Sequence, residues 1–318
     1  MHRNRGRIMN AIAKSSDIIS NWEPKHERLF GHEIVRLNHR LRDTGLFSRE
    51  AVGRLIERCP AEELGLESMN EDTNNPHRLY GIRGEASGMQ VIDAIEKGRI
   101  WANIRRVMAW APEYKTLLDD IFAEFERRMP DFKTYKRNMG ILVSSPDANV
   151  FYHADIQGQS LWQIEGTKRV YLYPRSSAFM DGPQIEKILL RETDETMRYQ
   201  PWFDEYATVI DLKPDEMITW PLYAPHRVHN HDCLNISITM EHWNRDIWNS
   251  YAVHYGNGVL RRTLGLGNLS TEPRGLHVYP KAASAFAWKK MGRQLQGDVV
   301  KRRDFRIDAT SPNGRVAI

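Results

Sequence analysis

The run Tyr152-His153-Ala154-Asp155-Ile156-Gln157-Gly158-Gln159-Ser160-Leu161-Trp162-Gln163-Ile164-Glu165-Gly166-Thr167-Lys168-Arg169-Val170-Tyr171-Leu172-Tyr173-Pro174 carries the pattern on which the fold turns. From Ser160 it reads as a strand, a turn at Gly166, and a second strand that stops at Pro174. Working outward, short apolar segments broken by Gly, Pro, Asn and Asp predict strands at 140–143, 150–155, 161–164, 169–173, 208–212, 217–220 and 234–240. So many short strands predict an antiparallel jelly roll of the cupin kind, a double-stranded β-helix that is mainly β with flanking α-helices.

Side chains alternate along a strand, so His153 and Asp155, two residues apart, point the same way while Ala154 faces away. Alone, such a pair in a chain with twelve histidines reads as two polar residues on a wet strand face. A second histidine at Pro221-Leu-Tyr-Ala-Pro-His226 completes a set of two imidazoles and one carboxylate. That set can hold three facial positions of an octahedral metal and leave three open, the pattern expected of non-haem Fe(II) oxygenases. Lys168 opens a strand among Val170, Leu172 and Tyr173. It reads either as an exposed strand-end lysine or as one entering a barrel mouth, where its ammonium needs an anionic partner.

The run from Tyr152 to Pro174 resembles the JmjC and cupin-like hydroxylases, particularly the branch that includes the asparaginyl hydroxylase acting on hypoxia-inducible factor. The segment Gln163-Ile-Glu-Gly-Thr-Lys168-Arg matches that branch in spacing and residue type. The resemblance implies that Lys168 binds the far carboxylate of 2-oxoglutarate, whose other end chelates Fe(II). The second half of the pattern is Ile210-Asp-Leu-Lys-Pro-Asp-Glu-Met-Ile-Thr-Trp-Pro221-Leu-Tyr-Ala-Pro-His226-Arg-Val-His-Asn followed by Leu234-Asn-Ile-Ser-Ile-Thr-Met-Glu-His-Trp243. It carries the distal metal ligand onto His226. His229 lies an odd number of residues on and His231 falls in a polar turn, so both read as loop histidines. The likeness runs from about Gly140 to Trp243, with Gln159 and Val150 standing where that hydroxylase has an asparagine and a threonine. Tyr135, Ser160 and Thr239 are then candidates for the remaining cosubstrate contacts.

At 318 residues and 41% hydrophobic, the chain can bury one large core. No apolar run reaches the length of a membrane span, and the basic start leads into no apolar signal segment, so a cytoplasmic protein is expected. Cys59 and Cys233 are too few for a disulfide framework and read as reduced thiols. A net charge of +4 comes with basic clusters at 3–7, 105–106, 261–262 and 301–303, which read as solvated faces. Nucleic-acid binding is not expected, because no matching motif accompanies them.

Ser48 reads as the N-cap of a helix through Val52, Leu55 and Ile56, and 93–108 reads as two helices or a helix and a strand. Leu117, Leu118, Ile121, Phe122, Phe125 and Met129 recur at helical spacing and predict a helix packed on a sheet. A helix is also predicted from 282 to 291, while Gly256-Asn-Gly258 and Gly265-Leu-Gly267 read as turns. These readings divide the chain into a mainly helical region at 1–130 packing on the barrel, a catalytic core at 131–245 with an insertion at 175–207, and an extension at 246–318. The insertion, with Tyr199, Trp202 and Phe203, either covers the barrel mouth or decorates the surface. The extension braces the barrel or forms a homodimer contact.

The expected activity is that of an Fe(II)- and 2-oxoglutarate-dependent dioxygenase. It would hydroxylate a protein or small-molecule substrate, or demethylate one where the attacked carbon sits on nitrogen. The rival expectations are a metal-binding cupin that serves as a regulatory or interaction module, and a cupin isomerase or dioxygenase that uses no 2-oxoglutarate.

Overall fold

The computed structural model describes residues 17–70, 77–193, 195–292 and 303–318. The basic residues at 3–7 and 301–302, residues 1–16 of the weakly periodic start, and Asp194 of the insertion lie outside them. Helix α1 (His26–Leu29), strand β1 (Val35–Asn38), helix α2 (Arg49–Arg58), strands β2 (Leu64–Met69) and β3 (Arg78–Ile82), helix α3 (Gly88–Lys97), strand β4 (Trp101–Ile104) and helices α4 (Val107–Trp110) and α5 (Pro112–Arg128) come first. The strands β5 (Tyr135–Ser144), β6 (Asn149–His153), β7 (Gly158–Glu165) and β8 (Lys168–Leu172) follow. After helix α6 (Gly182–Leu189) come β9 (Thr208–Leu212), β10 (Glu216–Thr219), β11 (His226–Asn230) and β12 (Asn235–Trp243). Helices α7 (Arg245–Leu264) and α8 (Val278–Lys290) and strands β13 (Phe305–Ile307) and β14 (Arg315–Ala317) complete the order.

Strands β5 to β12 divide between two sheets. In the larger, β10, β7, β12 and β5 lie side by side, and in the smaller the order is β9, β8, β11, β6. Every one of these neighbours is antiparallel. The arrangement is the jelly roll that the strand spacing predicts. Beyond the helices expected there, the region before residue 130 lends strands to the larger sheet: β1 pairs with β10, and β4, β2 and β3 extend it past β5. The C-terminal β13 then joins β3 in parallel.

Alternation along each strand separates a helix-covered face from an inner face. On β12, Ile236, Ile238 and Met240 pack with Trp162, Ile141 and Phe125 in the main core, while Thr239 and Glu241 face inward. Helix α5 supplies the cover: Pro112 stands at its start and Arg127 and Arg128 at its end, and Leu117, Ile121, Phe122 and Phe125 are buried. Helix α2 is capped by Ser48, whose side chain accepts from the Ala51 N–H. Between the sheets, Leu142, Leu161, Val170, Leu172, Ile218 and Val228 form a smaller apolar core.

Two local readings are corrected. Gly256 and Gly258 lie inside the 20-residue helix α7 and not in a turn. A Cβ at Gly256 would stand 2.5 Å from the Lys281 carbonyl oxygen of α8, and one at Gly258 would stand 2.8 Å from Leu190 Cδ1. Close helix packing therefore selects glycine there against its poor helix propensity. Gly265 does end the helix, with φ of 68° at its C-cap. The second correction concerns His229, which lies in β11 and pairs with Asn149 and Arg169.

Candidate metal centre and its cavity

Strand β11 brings His226, Val228 and Asn230 to the inner face of the barrel, with Arg227 and His229 on the other side. On its neighbour β6, Val150 and His153 are three residues apart yet oppose Val228 and His226, which are two apart. This bulge turns both Val150 and His153 into the same cavity and leaves Tyr152 in the outer aromatic cluster with Tyr173 and Phe179. Strand β6 ends at His153, so Asp155 reaches the cavity from the following loop and not as the next inward residue of a strand.

His153, Asp155 and His226 each place one ligand atom within 4.8 Å of the others, among the described residues. The two rings lie 4.1 Å apart between centroids. His153 Nδ1 donates to the Phe151 carbonyl at 2.7 Å, and His226 Nδ1 donates to the Ala224 carbonyl at 3.1 Å. With the proton held at Nδ1, each Nε2 presents a lone pair. Burial agrees with this, since it pushes both imidazoles down to about 4 and keeps them neutral near pH 7.

His226 Nε2 stands 3.4 Å from Asp155 Oδ2, and that buried oxygen has no hydrogen-bond partner among the described residues. Two acceptors therefore face each other with no proton between them, which is unfavourable unless a cation joins them. Burial raises the Asp155 pKa, as expected for a carboxylate waiting for such a charge. The Trp220 ring, 4.7 Å from that of His226, closes one side.

The ligand atoms open on a cavity of about 580 Å³ whose wall includes Lys168, Gln159, Thr239 and Glu241. The insertion supplies Ile188, Arg191 and Thr196 to the same wall. It is joined to β6 by the bridge between His153 and Thr196 and by the bond from Met197 N–H to the Tyr152 carbonyl, 2.8 Å. Its aromatic residues do something else: Phe203 is buried against Tyr152, Tyr173 and Phe179, outside the cavity, and Trp202 packs on Phe179 and Phe203.

Lys168 is 3% exposed. Its Nζ donates to Ser144 Oγ at 3.0 Å and Asn230 Oδ1 at 3.2 Å, and no carboxylate pairs with it among the described residues. Burial brings its pKa down to about 7. A cation so placed favours an anionic ligand.

The other sequence candidates separate. Thr239 lines the cavity. Ser160 does not, because it alternates with Gln159 and Leu161 on β7 and points to the helix side, bonded to the Met240 carbonyl at 3.3 Å and to Trp162 Nε1 at 2.9 Å. Tyr135 stands at the outer end of β5, 42% exposed. His231 bonds Asp211 at 3.0 Å, and His229 bonds Asn149, both away from the cavity. Sequence reasoning missed Ser144, Asn230 and Glu241. Asn230 had a readable signal, since it lies four residues from His226 and so shares its face. Glu241 is half-buried, accepts from Asn138 Nδ2 at 3.0 Å, and has its pKa raised by desolvation.

No protein-family model and no curated protein matches the sequence. Among solved structures, the chain is similar to Escherichia coli YcfD at 16% identity, with a TM-score of 0.50, over 89% of this chain and 70% of that one. A structure described as YcfD, a ribosomal oxygenase from Escherichia coli, in complex with cobalt and 2-oxoglutarate aligns at 16% identity and a TM-score of 0.47, over 89% and 69% of the two chains. These likenesses do not single out the asparaginyl-hydroxylase branch. At 16% identity the likeness to the first of these bears on architecture alone, and the architecture is a jelly roll.

Proposed function

We propose that this chain is an Fe(II)- and 2-oxoglutarate-dependent oxygenase that hydroxylates a protein or small-molecule substrate, with residues 131–245 as its catalytic core. The observation that carries the reading is the pairing of two poles in one cavity. At one pole, two Nε2 lone pairs and an unpartnered carboxylate oxygen converge. At the other, a buried lysine has no carboxylate partner among the described residues.

The donor set fits the metal. Two neutral imidazoles and a carboxylate are the ligands of a facial site with open positions, and the backbone carbonyls of Phe151 and Ala224 hold the imidazoles in the right tautomer. Lys168 fits the far carboxylate of the cosubstrate, because an anion there satisfies a charge that the protein leaves uncompensated. When bound, iron and 2-oxoglutarate together supply the oxidation of a C–H bond, with succinate and carbon dioxide as the cosubstrate's products. The chain's own task is to hold the cosubstrate between the triad and Lys168, to keep water out with Trp220, and to shape the opening with Ile188, Arg191 and Thr196. Ser160 and Tyr135 take no part in this assignment, and Thr239 remains as a wall residue.

Anaerobic titration of the Fe(II)-loaded protein with 2-oxoglutarate tests the reading. A weak visible charge-transfer band is expected in the wild type and is expected to fade in Lys168→Ala. Iron binding without a band would instead favour a metal-binding cupin that serves as a regulatory or interaction module.

A further inference from the structure

Arg137, Arg227, Arg261 and Arg262 each stand beside a carboxylate, of Glu126, Asp204, Glu186 and Glu192 in turn. Lys136, Arg191, Arg245 and Lys289 do not: all four are exposed, and no carboxylate pairs with them among the described residues. They gather around aromatic rings. Lys136 Nζ lies 5.7 Å from the centre of the Trp243 ring, and Lys289 Nζ lies 4.8 Å from that of Tyr251 and donates to its hydroxyl at 2.8 Å. Arg245 precedes Trp248 by three residues on α7, so the two are surface neighbours. Burial and then the like charge of Arg191 lower the pKa of Lys289, which sets Arg191 on the same side of the molecule.

The rings form one strip. Trp243 and Tyr251 lie 5.3 Å apart between centroids, and Trp248 stacks on Tyr251 at 5.9 Å with planes 16° apart. Tyr135 extends the strip, since it pairs with Trp243 across β5 and β12. Trp248 is 44% exposed and Tyr135 42%. The acids nearby are engaged elsewhere: Asp246 faces Arg274 at 3.6 Å, and Glu241 accepts from Asn138 at the wall of the metal cavity. The surface is therefore both aromatic and positive. No sequence motif marks it, because its residues come from β5, β12, α7, α8 and the insertion.

We propose that this strip binds single-stranded nucleic acid, with bases stacking on Trp248 and Tyr135 and phosphates lying over Lys136, Arg191, Arg245 and Lys289. Exposed rings set among cations fit a ligand that carries a flat base and a negative charge in every unit. An acidic peptide brings the charge without the bases, and a duplex keeps its bases stacked inside. A bilayer face is flat, whereas this strip runs into the mouth of the metal cavity at Arg191. The proposal stands apart from the oxygenase reading, because the strip meets that cavity only at its rim and needs neither metal nor cosubstrate to bind.

Fluorescence anisotropy of labelled oligouridine titrated with the full chain tests it. Binding is expected to weaken on the order of 20- to 50-fold between 50 and 200 mM salt, as for three or four phosphate contacts to a single strand. Trp248→Ala is expected to weaken it on the order of 10- to 100-fold. Lys136→Gln and Lys289→Gln are expected to flatten the salt dependence, each by about one phosphate contact. All three side chains are exposed or at the surface, so the variants should melt as the wild type does. The proposal is overturned by no binding at 50 mM salt, by unchanged affinity in Trp248→Ala, or by a duplex, polyglutamate or phosphatidylserine vesicles binding as tightly as oligouridine. It is overturned as well if the wild type is a dimer that dissociates in Trp248→Ala, since a second copy then covers the strip.

Discussion

At Lys168 the cost of burying an ammonium sets a condition on the ligand. The side chain is almost fully enclosed, and desolvation lowers its pKa to about 7. An anionic partner binds the charged form, so binding and protonation are linked. Below pH 7 the lysine already carries its proton and affinity for 2-oxoglutarate should be nearly flat. Above pH 7 each binding event must also take up a proton, and the apparent affinity should fall by up to about tenfold per pH unit. Calorimetry between pH 6 and 9 in buffers of differing ionisation enthalpy reads both the slope and the proton uptake. A flat profile to pH 9 would mean that Lys168 does not hold the carboxylate.

The helix pair α7 and α8 shows how packing overrules local preference at the scale of an element. Gly256→Ala should raise helix propensity by about 1 kcal/mol if the helix stood alone. The new Cβ would meet the Lys281 carbonyl oxygen at 2.5 Å and its Cα at 2.7 Å, and backbone atoms cannot rotate out of the way. Overpacking of this kind costs about 1–3 kcal/mol, so the net change should be destabilising by about 1 kcal/mol. Chemical denaturation of the variant checks the sign. A stabilised protein would show that α8 is free to shift away from α7.

For the whole molecule, the metal site couples parts that the fold otherwise joins only through the core. His153 and His226 belong to the smaller sheet, and Asp155 lies on the loop that carries the chain into β7 of the larger. Co(II) or Mn(II) should therefore raise the melting temperature, with a stabilisation of about 2.7 kcal/mol when the free metal is 100 times its dissociation constant. In Asp155→Ala that shift should vanish at the same metal concentration. The apo variant should melt no lower than the apo wild type, because the mutation removes a carboxylate oxygen that is buried without a partner among the described residues. Scanning calorimetry with and without metal reads both quantities, and an undiminished shift in the variant would place the metal elsewhere.

Period-two patterns and turn residues are local, and so the strands β5 to β10, the strand β12 and the helix α5 could be read from the chain itself. His153 and Asp155 were legible for a related reason, being two residues apart, and His226 through its place in the segment around Pro221. Strand β11 was not legible, because its polar residues His229 and Asn230 mask the alternation that pairing reveals. Helix α7 was hidden by glycines whose use appears only when α8 lies against Gly256 and Leu190 against Gly258. The same holds within the site. Chemistry along the chain singled out His153, Asp155, His226 and Lys168, but which groups surround them depends on residues far apart in sequence. Ser144 and Asn230, 86 residues apart, meet at Lys168 because the jelly roll sets the ends of β5 and β11 beside the start of β8. Ser160 was turned away from the cavity by the register of a single strand. Local order thus determined the elements and the reactive residue types, and the closing of one sheet over the other decided which of them face each other.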